Sequence, residues 1–469
     1  MTQIEIKHSM SLSSAPLDAQ IAAALRQARE SDPLGHQIHT VLAMIYLFTL
    51  PLFTAGEGIS FGLLFLWTCI RLPRTWRSSA EGWREPLLWA MLAWAGWILM
   101  SFAWSNNRHQ AFDEFGACRA LLTPLLLWPV IERLPWLIGA ALLGVFAQNI
   151  EQLLQALGWL NWRPQEAEGR YGGFIHPIQT GAWCVAAMCW HLSAALHSNG
   201  KIRWISVIGL AVATAGLIAT ESRGPWLAAA CAIPLMLIVI LIRRPQLRRT
   251  AAILIGVAIV TMLAAWPIVK GPVTSRIAIA ADEARLARDQ HYYATSVGSR
   301  IGMNRWAWAM FRAHPILGIG AGSYPKEQKA NPDYQEGLRQ TRTKSEQSFM
   351  TKQHPHSAYL YALACTGIIG AMILAALLGL ALRQCALDRP DHLYADGTFF
   401  VLVSWIIGAA FECYNLNGHH LGLLAFVLTI TLPRRPAIRC ISNAHDHALE
   451  RVPHAADSAH QPAPGLVAP

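Results

Sequence analysis

Long apolar runs recur along most of this 469-residue chain and limit what it can fold into. A helix needs about 20 apolar residues to cross a bilayer. Charged residues make up only 14% of the chain, whereas ordinary soluble proteins carry about 25%. So few charges exclude a soluble surface of this size, and we predict an all-α, polytopic membrane protein. The twelve predicted spans are 38–55, 57–71, 87–104, 115–131, 135–157, 174–197, 203–220, 225–242, 249–269, 356–382, 397–414 and 419–433.

The placement of Arg and Lys in alternate loops predicts the orientation, because cytoplasmic loops of membrane proteins collect basic residues. With the N-terminus in the cytoplasm, the inner loops are rich in basic residues and the outer ones are not. We therefore attribute the net charge of +10 to topology and expect no nucleic-acid partner. Residues 1–37 and 434–469 are then cytoplasmic, and the polar tail is expected to be disordered. The inner basic residues are Arg71, Arg74, Arg77, Arg84, Arg133, Lys201, Arg203, Arg243, Arg244, Arg248, Arg249, Arg383, Arg389, Arg434 and Arg435.

One predicted outer loop, 270–355, separates spans 38–269 from spans 356–433 and is too long for a simple connector. Its first part, with Arg276, Arg285 and Arg288, has a helical pattern. The amphipathic, aromatic stretch 304–312 is typical of a helix on a membrane surface. Binding and catalytic residues are often found on such loops. The helix-ending residues that follow are Gly318, Gly320, Gly322 and Pro325.

Three ionisable residues stand out on the predicted outer side: Arg223, Arg300 and His356. An Arg close to membrane depth is costly and often functional. Each residue also has a structural interpretation that the local sequence leaves open. Arg223 could pair with Glu221, Arg300 could be an ordinary surface residue, and His356 could cap an interfacial helix.

The sequence around His356 predicts the start of a closely packed helix. Pro355 suits the first turn of a helix, which would direct His356 into the outer vestibule. Gly367 and Gly370 would lie on one helical face and allow another helix to approach closely.

A metal site is the alternative for the outer histidines His354, His356, His419 and His420. Their spacing fits no common zinc pattern. No outer Asp-x-Asp is present, and Glu166-x-Glu168 is the nearest acidic pair. The nine cysteines form no C-x-x-C motif and are expected to be small buried hydrophobes. We therefore predict neither a catalytic metal nor a cofactor.

Several blocks of the chain resemble the superfamily of O-antigen ligases and polymerases. His356-Ser357, nine residues and then Gly367-x-x-Gly370 are similar to the O-antigen ligase signature. Three further blocks are similar to the wider superfamily, and the resemblance extends over about 40–432. These blocks are Arg170-Tyr171-Gly172-Gly173-Phe174-Ile175-His176-Pro177, Ser222-Arg223-Gly224, and Ser299-Arg300-x5-Trp306 with His314-Pro315-Ile316-Leu317-Gly318-Ile319-Gly320.

The resemblance implies a membrane glycosyltransferase (GT-C-like) architecture in a Gram-negative inner membrane, with the active site facing the periplasm. It also implies metal-free transfer of an O-antigen glycan from undecaprenyl diphosphate to a sugar hydroxyl of lipid A–core, with inversion at the anomeric carbon. Membrane lipids would be the other partners.

Residue chemistry agrees with this reaction. Guanidinium groups bind phosphate through two donors, so Arg223 and Arg300 would hold the donor diphosphate. Neutral imidazole can accept a proton near pH 7, so His356 would be the catalytic base. Possible further substrate contacts are Arg170, Arg305 and Tyr359.

Two alternatives remain at the level of the sequence. An O-antigen or exopolysaccharide polymerase, or a protein O-oligosaccharyltransferase, would share the donor and differ in the acceptor. A transporter or lipid flippase would also suit twelve spans, but it would be expected to hold its charged residues near the bilayer midplane. Here they cluster at the outer ends of the spans. Gln148, Glu151 and His191 are the few candidates inside the spans.

Overall fold

A computed structural model describes residues 17–83, 85–160, 170–352, 354–387 and 393–432, and the regular elements within these ranges are helical. Short 3-10 segments join several helices. The α-helices are α1 Leu17–Ser31, α2 Pro33–Thr49, α3 Thr54–Gly82, α4 Pro86–Met100, α5 Arg108–Ala117, α6 Thr123–Leu127, α7 Leu134–Ala156, α8 Pro177–His197, α9 Gly200–Ala219, α10 Arg223–Arg243, α11 Arg248–Asp289, α12 Ser296–Ala313, α13 Tyr324–Ala330, α14 Pro332–Arg339, α15 Lys344–Met350, α16 Ala358–Leu387, α17 Ala395–Ala409 and α18 Gly418–Thr431.

Polar caps fix where several helices begin. Asp32 accepts a hydrogen bond from the N–H of Gly35, and Pro33 occupies the first turn of α2, where its missing N–H costs nothing. His176 caps α8 in the same way, and the Gln179 side chain bonds back to the cap. The start of α8 therefore positions the segment of chain that precedes it, which contains Arg170.

Helices α8 and α18 form the centre of the bundle. Trp190 of α8 and Phe426 of α18 are fully buried, with ring centroids 5.7 Å apart. Peripheral helices instead expose large apolar side chains, such as Trp204 and Ile205 on α9. Exposing many large apolar side chains is unfavourable in water but not in lipid, so these exposed faces agree with a membrane protein.

Six helical segments of the described residues are long and apolar enough to cross a membrane, and two shorter apolar helices, Ala395–Ala409 and Gly418–Thr431, accompany them. The prediction of an all-α polytopic membrane protein is confirmed at this level. The number of twelve spans and their orientation stay predictions. The six segments are Thr54–Trp76, Pro86–Ala103, Arg108–Ala156, Gly200–Ala219, Arg223–Arg243 and Ala358–Ala386.

The long predicted loop starts inside a helix. Helix α11 continues through the predicted boundary at 270 and ends at Asp289, so the expected helical stretch around Arg285 is confirmed as an extension of the preceding helix. The aromatic stretch lies on α12, where Trp306 is buried and Trp308 is 48% exposed. This alternation confirms that α12 is amphipathic.

The structure corrects the prediction for Gly367. This residue does not lie on a continuous helical face, because α16 is broken there: its φ is 64° and its ψ is −169°. The break frees the carbonyl groups of three residues, and each finds a new donor. Ile319 N–H bonds to Ala364 O and Gly320 N–H to Cys365 O, both at 2.9 Å, while Trp97 Nε1 donates to Thr366 O. The glycine-rich loop after α12 therefore docks onto the broken helix.

Glycine is required on both sides of this junction. A Cβ at Gly367 would lie 2.2 Å from Ile316 O, and a Cβ at Gly318, with φ 71°, would lie 2.5 Å from the backbone of Cys365. Gly370 does pack closely, since a Cβ there would lie 2.9 Å from the Trp97 ring. The number of residues between His356 and Gly367 thus sets the distance between His356 and the break in α16.

Gly367→Ala is expected to destabilise the protein by at least about 1–3 kcal/mol, because alanine is strained at positive φ and its methyl group would collide with the loop backbone. Gly379→Ala in the same helix is the matched control, because nothing lies within 4 Å of its Cβ position. That change should be neutral or stabilising. Thermal unfolding of both purified variants in detergent measures the difference. Equal unfolding temperatures would contradict the structural role of the break.

The predicted orientation can be tested by cysteine labelling of sealed cells. Gln335 on α14 and Gln246 before α11 are both exposed, and they lie on opposite sides in the prediction. In a background lacking the native cysteines, an impermeant maleimide should label a cysteine at position 335 and not one at 246. Labelling at 246 in intact cells would reverse the orientation.

Candidate active site

Three arginines from separate parts of the chain meet at one end of the bundle. Arg223 is the first residue of α10 and is exposed. Arg170 Nη2 donates to Ser222 Oγ, 3.3 Å away. Arg300, on α12, lies close enough for the charges of Arg223, Arg170 and Glu412 to act on it. Burial lowers the pKa of Arg300, as do the two neighbouring arginines, while Glu412 opposes them. The guanidinium nevertheless stays protonated near neutral pH.

The turn before α10 presents Arg223. Glu221 has a φ of 46°, in the left-handed region that non-glycine residues seldom adopt. The N-terminus of α10 directly follows, and the partial positive charge of a helix N-terminus favours anions. This end of the helix and three guanidinium groups therefore create a strongly positive site.

His356 lies beside this cluster and is held by Glu412. The structure places His356 two residues before α16, not in its first turn, and the carbonyl of Ser357 accepts the first hydrogen bond of the helix. Nδ1 of His356 is 2.8 Å from Oε2 of Glu412. Because the carboxylate accepts a hydrogen bond, Nδ1 carries the proton. Nε2 then has a free electron pair.

Glu412 is ionised in this environment. Burial alone would raise the pKa of its carboxyl group, but the hydrogen bonds from His356 and from the N–H of Cys413 hold that pKa below its usual range. The N–H of Cys413 adds a hydrogen bond to Oε1 at 2.9 Å. A fixed carboxylate of this kind sets the tautomer and the orientation of the imidazole.

The other two predicted substrate contacts, Arg305 and Tyr359, form contacts within the protein, and their role toward a substrate stays a prediction. Arg305 follows Arg300 by five residues, which turns it about 140° around the helix. It contacts Asp333 at 3.5 Å and the hydroxyl of Tyr293 at 3.2 Å. The hydroxyl of Tyr359 donates to Ile406 O, 2.7 Å away, and so joins α16 to α17. These contacts give both residues structural roles.

The outer histidines do not gather into one group. His419 bonds to Leu50 O at 2.7 Å, and His420 stacks on Tyr414 with ring centroids 3.8 Å apart. Among the described residues, the group with metal-ligating potential is instead His354, His356 and Glu412. Glu166 and Glu168 lie outside the described residues.

Sequence reasoning missed Glu412. It lies between α17 and α18, at the end of an apolar run, where a lone acidic residue is costly unless it has a partner. The cost of placing an acidic residue there was a signal in the sequence that could have identified Glu412 as a candidate. Its partner could not be inferred, because His356 is 56 residues earlier in the chain.

A comparison with known protein families shows which family part of the chain is similar to. Residues 208–375, just over a third of the chain, match the family model described as O-antigen ligase. This part of the chain is therefore similar to the O-antigen ligase family. Arg223, Arg300 and His356 fall within the matched region, whereas Arg170 and Glu412 lie outside it. No curated protein matches the chain.

Proposed function

We propose that this protein is a member of the O-antigen ligase superfamily and acts as an inverting glycosyltransferase, an O-antigen ligase. It would move a glycan from undecaprenyl diphosphate to a sugar hydroxyl of lipid A–core at the periplasmic face of the inner membrane. The observation that carries the proposal is the His356–Glu412 pair beside three arginines. The pair supplies a base with one free nitrogen, and the arginines supply a site for a diphosphate.

In the proposed reaction, Nε2 of His356 takes the proton of the acceptor hydroxyl as its oxygen attacks the anomeric carbon. The new C–O bond forms on the face opposite the breaking C–O bond to phosphate, which inverts the configuration. The bonding electrons leave with the diphosphate. Arg223 and Arg300 stabilise the negative charge that grows there, and Arg170 supports them from the Ser222 side. Glu412 stabilises the imidazolium that forms.

A polymerase or a protein O-oligosaccharyltransferase is the second candidate, because it would use the same donor and the same base. Transfer assays with the purified full-length protein separate these activities. Undecaprenyl diphosphate-linked glycan would be offered with lipid A–core, with a serine-containing peptide, or with no second acceptor. We expect product only with lipid A–core. Longer lipid-linked glycan or glycosylated peptide would support the second candidate, and no product in any arm would contradict both.

A further inference from the structure

Two histidines and one carboxylate converge at the end of the segment that precedes α16. Nδ1 of His356 is 2.8 Å from Oε2 of Glu412, and Nδ1 of His354 is 3.6 Å from Oε1 of the same carboxylate. The two imidazole rings are 5.3 Å apart, and one ligand atom from each residue lies within 4.8 Å of the others. The three side chains therefore direct their metal-ligating atoms at a common point.

One of these atoms lacks a partner. Nδ1 of His354 is buried and accepts or donates no hydrogen bond within the part of the chain that the structure describes. A buried polar atom without a hydrogen-bond partner is unfavourable, and a bound metal ion would remove that cost.

We propose that His354, His356 and Glu412 bind a zinc ion that inhibits the enzyme. Two histidines and a glutamate, with water in the fourth position, are a common zinc ligand set. With metal–ligand bonds of about 2.0–2.1 Å, tetrahedral ligand atoms lie roughly 3.3 Å apart. The two N···O separations are close to that value, at 2.8 Å from His356 to Oε2 and 3.6 Å from His354 to Oε1 of Glu412. Because the ligand atoms already lie within 4.8 Å of one another, rotations of the side chains would complete the site.

Zinc at this point switches off the proposed base. Without metal, Nδ1 of His356 carries the proton and Nε2 holds the electron pair. A zinc ion on Nδ1 needs the Nδ1 electron pair, so the proton moves to Nε2 and no proton is released. The ring then has no electron pair with which to accept the proton of an acceptor. Zinc also takes Glu412 away from the imidazole.

Zinc binding can be measured without any substrate, so this test does not depend on the proposed reaction. The full-length protein in nanodiscs would be stripped with EDTA, freed of EDTA and titrated with zinc chloride against a chromophoric chelator. We expect one tight site per chain. His354→Gln should weaken it by about 10²-fold or more, since even loss of a residue that only supports a ligand costs 10–100-fold. His109→Gln is the matched control, because His109 is 92% exposed and distant in sequence. It should bind as the parent does.

Activity provides the second arm. The EDTA-stripped parent should transfer glycan and lose activity as zinc is added, and a chelator should restore it. His354→Gln should resist zinc, so that added zinc does not lower the rate that the stripped variant has without metal. His354→Cys supplies a thiolate ligand and should therefore restore zinc binding. That result would show that a substitution at position 354 does not itself prevent zinc binding. Equal zinc affinity in the parent and His354→Gln would overturn the site, and activation of the stripped enzyme by zinc would overturn the inhibition.

Discussion

Replacing His356 by alanine is expected to lower the single-turnover rate of glycan transfer by about 10²-fold or more, with donor affinity nearly unchanged. In the proposed reaction, the imidazole acts on the acceptor hydroxyl and has no part in holding the diphosphate. A general base typically contributes about 10²–10⁴-fold to a rate. His109→Ala, at an exposed histidine on the same predicted side, should retain full activity. Near-normal turnover of His356→Ala would show that the residue only precedes a helix.

Substitutions of the arginines should have a different signature. Arg223→Lys and Arg300→Lys keep the charge but lose the two-donor fork, so part of the activity should remain. The alanine variants should retain little, and donor binding should weaken in all four. Arg312→Ala is the matched control on α12, because Arg312 is exposed at the end of the helix. Unchanged donor affinity in the Arg300 variants would contradict the diphosphate assignment.

The helices of the bundle could be predicted because they follow from local composition. Every predicted span overlaps a helix or a chain of short helices in the described residues, as apolar length alone specifies a helix in lipid. Arg223 was singled out for a related reason, because a guanidinium near membrane depth is costly unless a partner or an anionic ligand compensates for that cost. Arg300 was singled out by its place before the aromatic stretch and by the family resemblance.

The break at Gly367 could not be predicted, because its cause lies outside the helix. An apolar run with two glycines predicts a continuous helix, and only the docking of the loop at Gly318 supplies new donors for the freed carbonyl groups. Glu412 was missed for the same physical reason. Its role depends on His356, which the fold brings to it from the far end of α16. Pairings over such distances are properties of packing and not of local sequence.

Glu412→Gln is expected to reduce the single-turnover rate by about 10²–10⁴-fold with donor affinity unchanged. Glutamine keeps the size of the side chain but can donate to Nδ1 as well as accept from it, so the tautomer of His356 is no longer fixed. It also carries no charge to stabilise the imidazolium. Glu336→Gln, an exposed glutamate that pairs only with Arg339 among the described residues, is the control and should have no effect.

The pH profile of the Glu412→Gln variant distinguishes positioning from mere packing. The carboxylate stabilises the positive charge of the imidazolium form of His356, and glutamine does not. The acid limb of the profile of kcat/KM should then move to lower pH, even though the maximum rate falls. The pKa of Glu412 is held below its usual range. The carboxylate therefore contributes fully to the stability of the folded protein near neutral pH, and this contribution is lost only as the pH falls through the lowered pKa. If the acid limbs of the parent and the variant coincide, Glu412 does not act through His356. If the loss of rate is explained wholly by a smaller amount of folded protein, the carboxylate has only a packing role.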